Sequence, residues 1–337
     1  MFHLIHKCMN YFWFIGIDLG KTSFDASILS NDEQEIAHHQ FKNTEEGMTK
    51  MMAWLASYDV DTSKSLFCAE NMGKYTSVLA LFSVENKLNL SLACPLDIKH
   101  SAGLTRGKSD RIDALRIAQY AQRKCRTLKL YTLPESTLVK LRNWLNLRNI
   151  HIKNKVALEN QLSTFKSDVV VDREIISYSE SAIAESKQKI AELEKKIEAV
   201  IDENVSVKRN YTLLKSVIGI GMINAALLLC TTDNFTRFET PRQYASYCGV
   251  APFEHSSGTS VRGKTRTSSI ANMEIKTHLT NAAVSAMSAD PQLRQYYHRK
   301  LAEGKHKASI INAIRFKLIA RCFAVVRRQI PFVKLVA

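Results

Sequence analysis

The chain has 337 residues, enough for about two domains with a substantial buried core. Its 47 Lys and Arg against 32 Asp and Glu give a formal net charge of +15, so we expect a polyanion as partner, nucleic acid well ahead of an anionic membrane surface. Seven scattered cysteines without a C-x-x-C pair argue against a disulfide framework and a structural zinc site, and they fit a reducing cytoplasm.

Residues 13–128 alternate short apolar runs with turns and amphipathic segments, behind an N-terminal extension at residues 1–12. Strands are predicted at residues 13–20, 24–29, 35–41, 65–69 and 88–94, and helices at residues 44–57, 74–86 and 110–124. The order βββαβαβα is that of a ribonuclease-H-like α/β domain, in which helices cover a five-stranded sheet.

Four acidic residues lie at the edge of this predicted sheet where the carboxyl ends of the parallel strands meet. Asp18 ends the first strand, Glu70 ends the fourth, and Asp110 and Asp113 open the last helix on one face. Together they suit two Mg²⁺ ions about 4 Å apart, and hard oxygen ligands without His or Cys disfavour zinc. Taken singly, each acid also fits a strand-end turn or a helix cap. Asp25, inside a strand, is expected to face solvent.

The character of the chain changes over residues 129–210. Ile190, Leu193, Ile197 and Val200 keep a heptad spacing, and Gly and Pro are absent between Glu135 and Gly219. We expect two long helices forming a helical or coiled-coil arm. The sequence leaves open whether they pair within one chain, pair between two chains, or are ordinary bundle helices.

Residues 211–337 are predicted to be mostly helical. Gly219 and Gly221 before a helix are typical of a helix-hairpin-helix element that approaches a phosphate backbone; a tight packing turn is the alternative. A long loop over residues 247–266 follows, in which Arg262, Lys264 and Arg266 suit phosphates. From chemistry alone its serines donate hydrogen bonds rather than attack phosphorus. Residues 290–337 are expected as basic helix with an apolar stripe containing Ile310, Ile311, Ile314 and Leu318.

These motifs together resemble the IS110 family of insertion-sequence transposases, whose relatives include Piv-type DNA invertases. Residues 13–125 resemble the RuvC-like DEDD domain of that family. The transposase domain is matched by residues 211–333. The matching motifs are GIDLGK at 16–21, ENMGKY at 70–75, KSDRIDA at 108–114, VIGIG at 217–221, YCGVAP at 247–252, Ser257-Gly258 and Arg262-Gly263.

The resemblance implies a metal-dependent DNA transposase or recombinase. It implies that Asp18, Glu70, Asp110 and Asp113 bind Mg²⁺ and that Ser257, with Ser256 as second candidate, attacks the phosphodiester. It further implies a structured guide RNA, donor and target DNA, a dimer or tetramer, and a cytoplasmic, nucleoid-associated location. Met72, in place of a usual Thr, departs from the family pattern. The nucleic-acid-binding residues that we expect are Lys21, Arg106, Lys108, Gly219, Gly221, Arg262, Lys264 and Arg266.

Two other functions stay open at this point. A RuvC-like nuclease would hydrolyse DNA with water and need no serine. A decayed, non-catalytic nucleic-acid-binding protein would keep only the charge.

Overall fold

A computed structural model describes residues 11–101, 109–257, 261–267 and 271–333. The chain forms two compact units, one up to Leu133 and one from Pro134 onward. Of the arm predicted at residues 129–210, residues 134–210 therefore lie in the same unit as the C-terminal part. Within the described residues, no helix is both long and apolar enough to cross a membrane.

The first unit contains a five-stranded sheet in the order β3-β2-β1-β4-β5. Strand β2 is antiparallel to both β1 and β3. Strand β4 runs parallel to β1, and β5 runs parallel to β4. The predicted order βββαβαβα is confirmed, with one additional short helix, α3, that begins at Pro95, where proline's fixed φ suits a first helical turn. The elements are β1 Trp13–Leu19, β2 Ser23–Ser30, β3 Glu35–Lys42, α1 Glu45–Ala56, β4 Ser65–Glu70, α2 Ser77–Glu85, β5 Leu90–Ala93, α3 Pro95–Ser101 and α4 Asp110–Lys124.

Helices cover both faces of this sheet. Ile15 and Ile17 of β1 belong to the apolar core with α1 and α2, whereas Phe14 packs with α4. Between them, Gly16 lets α4 approach the strand closely: a Cβ at Gly16 would lie 2.1 Å from the carbonyl oxygen of Ala114. This contact fixes where the first turn of α4 lies along β1.

The second unit begins with two long helices, α5 (Ser136–Ser167) and α6 (Arg173–Asp202). They run antiparallel, as three ion pairs along their length show. The predicted heptad positions of α6 are buried, and the pairing lies within one chain. Coiled-coil packing itself stays a prediction. The ion pairs are Lys140–Glu203 (2.9 Å), Arg148–Glu194 (2.6 Å) and Lys166–Glu180 (2.7 Å).

The remaining helices pack around one apolar core together with the start of α5 and the end of α6. The predicted basic helix after residue 290 is two helices, because the chain turns at Gly304, whose φ of +76° favours glycine. Its predicted stripe packs inward at Ile310, Ile314 and Leu318. The helices are α7 Val205–Lys215, α8 Met222–Thr232, α9 Pro241–Tyr247, α10 Met273–Ala289, α11 Pro291–Ala302 and α12 Lys307–Arg328.

The loop predicted over residues 247–266 was wrong in part. From residue 252 onward it contains an antiparallel hairpin of β6 (Pro252–Ser257) and β7 (Val261–Thr267), with Ser257 opposite Val261. The prediction gave the serines and glycines too much weight, whereas Val and Thr residues in β7 favour extended backbone. The side chains of residues 254–266 lie outside what the structure describes.

Candidate active site

Asp18 and Glu70 lie at the ends of adjacent parallel strands. The β1–β4 register pairs Ile17 with Ala69, so the next positions in line are Asp18 and Glu70. Because side chains alternate along a strand, Asp18 shares the sheet face of Gly16, which is the face that α4 covers. Both side chains are half-buried. The two carboxylates thus lie side by side at the carboxyl edge of the sheet.

Asp110 and Asp113 lie in the first turn of α4. Ser109 caps this helix by accepting a hydrogen bond from the backbone N–H of Ile112 (3.3 Å), so Asp110 is not needed as the cap. The helix contacts Gly16 at Ala114. Its first turn, which precedes Ala114, lies beyond Gly16 on the side of Asp18. The Asp113 carboxylate also accepts a hydrogen bond from Arg116 Nη1 at 2.8 Å. The helix therefore brings its two acids to the strand-end pair.

The electrostatics of Asp18 show that these acids lie close enough to interact. Partial burial and then the negative charges of Glu70, Asp113, Asp110 and Asp25 raise the pKa of Asp18 from 3.8 to about 6. Such repulsion is relieved by a proton or by a cation placed between the carboxylates. The structure therefore brings together all four acids that the sequence singled out.

The donor set fits a hard divalent cation in its chemistry, since it offers only carboxylate oxygens. Among the described residues, no three His, Cys, Asp or Glu side chains form a ready ligand group. Asp113 in particular is engaged with Arg116. A cation at Asp113 would therefore compete with Arg116 for this carboxylate.

The expectation that Asp25 faces solvent was wrong. Its residue is 6 % exposed, and its two oxygens lie 2.8 Å from His38 Nε2 and 3.0 Å from Gln40 Nε2. Strand β2 is buried on both faces, because α4 reaches over β1 to cover it, so alternation along β2 does not separate core from solvent. The sequence offered one signal of this burial: Asp25 lies in β2, a strand that pairs with a neighbour on each side.

The residues predicted to bind nucleic acid lie in different environments. Lys21 is exposed in the turn just after β1. Gly219, with φ of +93°, packs on α10, since a Cβ there would lie 2.6 Å from Ala286 Cβ. Gly221 is exposed at the start of α8 with open space around it. Arg106 and Lys108 lie outside the described residues, as do the side chains of Ser257, Arg262, Lys264 and Arg266.

Two family models match the chain in order. A transposase model for the DEDD domain of IS110 elements matches residues 15–165, and a model described as "Transposase IS116/IS110/IS902 family" matches residues 211–298. The chain belongs to the IS110 transposase family. It is thus a DNA recombinase enzyme, and its DEDD domain indicates a ribonuclease-H-like fold, which the sheet order bears out, and dependence on a divalent metal.

Three relatives of this IS110 transposase are instructive. The chain is 27% identical over 325 residues to the "Pilin gene-inverting protein" of Moraxella bovis, and equally to that of Moraxella lacunata. Each alignment spans 95% of this chain and 98% of the relative. It is 33% identical over 146 residues to an uncharacterized IS110 protein of Streptomyces coelicolor, spanning 43% of this chain and 36% of that protein. Similarity to the inverting proteins therefore extends over both units.

Proposed function

We propose that this transposase cuts and rejoins DNA by attack of Ser257 on a phosphodiester, assisted by Mg²⁺ held by Asp18, Glu70, Asp110 and Asp113. The observation that carries the metal site is the convergence of four acids within a matching DEDD domain, seen in the raised pKa of Asp18. The serine rests on the family resemblance and on its position at the end of β6.

The four carboxylates would hold the metal at the edge of the sheet. Their all-oxygen chemistry favours Mg²⁺, and four acids would supply ligands for two ions. When bound, Mg²⁺ supplies positive charge that neutralises the phosphate oxygens during displacement. The contribution of the chain is to gather these charges on the first turn of α4 and on two strand ends.

In the serine step, the Oγ of Ser257 forms a bond to phosphorus and the phosphodiester bond to one DNA oxygen breaks. The serine proton leaves to a base, and the departing DNA oxygen takes up a proton as a hydroxyl. The new phosphoserine–DNA ester conserves the number of phosphoester bonds, so attack by a second DNA hydroxyl joins strands without an energy source. Ser256 is the neighbouring candidate for the same role.

The proposal includes two polyanionic partners. The net charge of +15 supports binding of a structured guide RNA besides DNA, and sequence choice would then be delegated to base pairing. A dimer or tetramer would bring Ser257 and the acids to one phosphate, within one subunit or across two.

The test is incubation of the full-length protein with DNA ends, Mg²⁺ and candidate guide RNA, followed by denaturing electrophoresis. We expect a protein–DNA adduct that is lost in Asp18→Asn and Ser257→Ala and kept in Ser256→Ala. Cleavage without an adduct, unchanged by Ser257→Ala, would instead identify a nuclease that uses water. Binding without cleavage under every condition would identify a non-catalytic protein.

DNA inversion is a second candidate outcome of the same chemistry. It is favoured by the similarity to two pilin gene-inverting proteins over 95% of the chain. A plasmid carrying two element ends in opposed orientation separates the outcomes: recovered inverted segments support inversion, and recovered new insertions support transposition.

A further inference from the structure

The second unit has a large open cavity at the base of the β6–β7 hairpin, about 1160 Å³ in volume. Ligand pockets of small molecules usually span about 300–1,000 Å³, so this cavity suits a segment of a chain better than one small molecule. Phe253 near the start of β6 and Thr267 at the end of β7 line it, together with parts of α9, α10 and α12. All its lining residues belong to the second unit, whereas the four acids belong to the first.

The cavity is positively charged. Arg242, Lys276 and Arg315 line it, and the described lining contains no Asp or Glu. Within the described part of the chain, no carboxylate lies at ion-pair distance from these three cations. Arg321, further along α12, differs in that it pairs with Asp290 at 2.6 Å. The charge of the cavity is thus uncompensated by the described residues and attracts an anion.

Arg315 is held in place by neutral groups. Its guanidinium donates to Thr280 Oγ1 (2.7 Å) and to Asn312 Oδ1 (3.2 Å), while its buried Nε has no hydrogen-bond partner among the described residues. Lys276 Nζ likewise donates to Thr267 Oγ1 at 3.4 Å. A half-buried guanidinium fixed by hydroxyl and amide oxygens keeps its full charge for a ligand, at a desolvation cost that a bound anion offsets.

Two aromatic rings accompany the cations. Phe253 is 44 % exposed, and Phe316, which also lines the cavity, is half-buried. Cations that track phosphates, combined with aromatic side chains on which bases stack, are the combination that binds single strands. A base within a duplex is stacked and paired and cannot offer its face to these rings.

We propose that this cavity binds an unpaired segment of a nucleic-acid strand, with phosphates at Arg242, Lys276 and Arg315 and a base against Phe253 or Phe316. The inference rests on the chain acting on DNA and does not require Ser257 to be the nucleophile. Phe253 and Ser257 are four residues apart on β6, at most roughly 13 Å along an extended strand. With Ser257 as the nucleophile proposed above, the cavity would hold the strand a few nucleotides from the bond that is cut; binding of the strand itself does not depend on that assignment.

The experiment is fluorescence anisotropy of labelled single-stranded DNA, single-stranded RNA and duplex DNA of one sequence, with full-length protein over a salt series. The variants are Lys276→Gln, Arg242→Gln and Phe253→Ala. Lys187→Gln is the matched control, because Lys187 is exposed on α6, away from the cavity, and the substitution removes the same charge. Thermal melting of each variant establishes that it is folded.

We expect Phe253→Ala to weaken single-strand binding about 5- to 150-fold and to leave duplex binding unchanged, as loss of one stacked base requires. Lys276→Gln and Arg242→Gln should each reduce the slope of log affinity against log salt by about 0.7 relative to Lys187→Gln. If the variants lose affinity for single-stranded DNA alone or for single-stranded RNA alone, that result identifies which strand the cavity binds. The proposal would be overturned if the variants lost no more affinity than Lys187→Gln, or if they lost as much affinity for duplex DNA as for single strands.

Discussion

Asp18 of β1 and Asp25 of β2 lie directly opposite each other in the antiparallel register, on the sheet face that α4 covers. Two acids at cross-strand positions repel each other, and the negative charge of Asp25 contributes to the raised pKa of Asp18. His38 and Gln40 hold the Asp25 carboxylate in place on the far side. The candidate active site therefore extends one strand beyond the four acids of the family pattern.

The raised pKa of Asp18 predicts a pH-dependent cost in stability. The pKa of its carboxyl is about 6 in the folded protein and 3.8 ordinarily. The free energy of unfolding therefore falls as the pH rises from about 4 to about 6, and it stays lowered above pH 6. Asp18→Asn should therefore raise the melting temperature at pH 7 and change it little near pH 4. Calorimetry without divalent cations measures this. An equal change at both pH values would contradict the assigned cause.

Binding of a divalent cation should offset the same cost. Mg²⁺ or Mn²⁺ should raise the melting temperature at pH 7, and less below pH 6 because protons compete for Asp18. Asp18→Asn and Glu70→Gln should abolish the rise. Asp32→Asn is the control, since Asp32 is an exposed acid in the turn after β2. A rise that persists in both site variants would place the ion elsewhere.

Asp25 should contribute to stability through its hydrogen bonds. Asp25→Leu removes the acceptor of the half-buried His38 and the exposed Gln40, and because water can take its place at Gln40 the change should cost about 0.5–1.5 kcal/mol. Asp25→Asn keeps one acceptor oxygen and removes the repulsion on Asp18, so it should be the milder change. Urea unfolding of both variants gives the order; a Leu variant as stable as the wild type would show that the network contributes nothing.

Gly16 should be the most sensitive glycine near the site. Gly16→Ala places a methyl group 2.1 Å from a backbone oxygen of α4, and relief requires the helix to shift. Overpacking of this kind costs about 1–3 kcal/mol or more, and the shift would move Asp110 and Asp113 away from Asp18. Gly221→Ala is the matched control: it has open space around it, and as the N-cap of α8 it should cost less than about 1 kcal/mol.

The positions of the four acids in the fold could be predicted because strand ends and a helix start can be located from local patterns. Asp18 and Glu70 follow apolar runs, and Ser109 before Asp110 marks a helix start. Asp25 was misplaced because its burial depends on α4, whose contact with β2 is a tertiary property that local alternation does not carry.

The second unit was harder to predict for a similar reason. Gly219 fits both a phosphate-binding turn and a packing contact, and only the position of Ala286 on α10 favours packing. The cationic cavity joins residues more than seventy positions apart, from Arg242 to Phe316, so no local motif marks it.

The residue that becomes linked to DNA decides whether this transposase uses a serine nucleophile. The adduct formed with DNA ends and Mg²⁺ would be digested with nuclease and trypsin, and the peptide of residues 243–262 fragmented in a mass spectrometer. We expect a nucleotide on Ser257. A nucleotide on Ser256 or elsewhere, or strand joining with no linked peptide, would contradict this expectation.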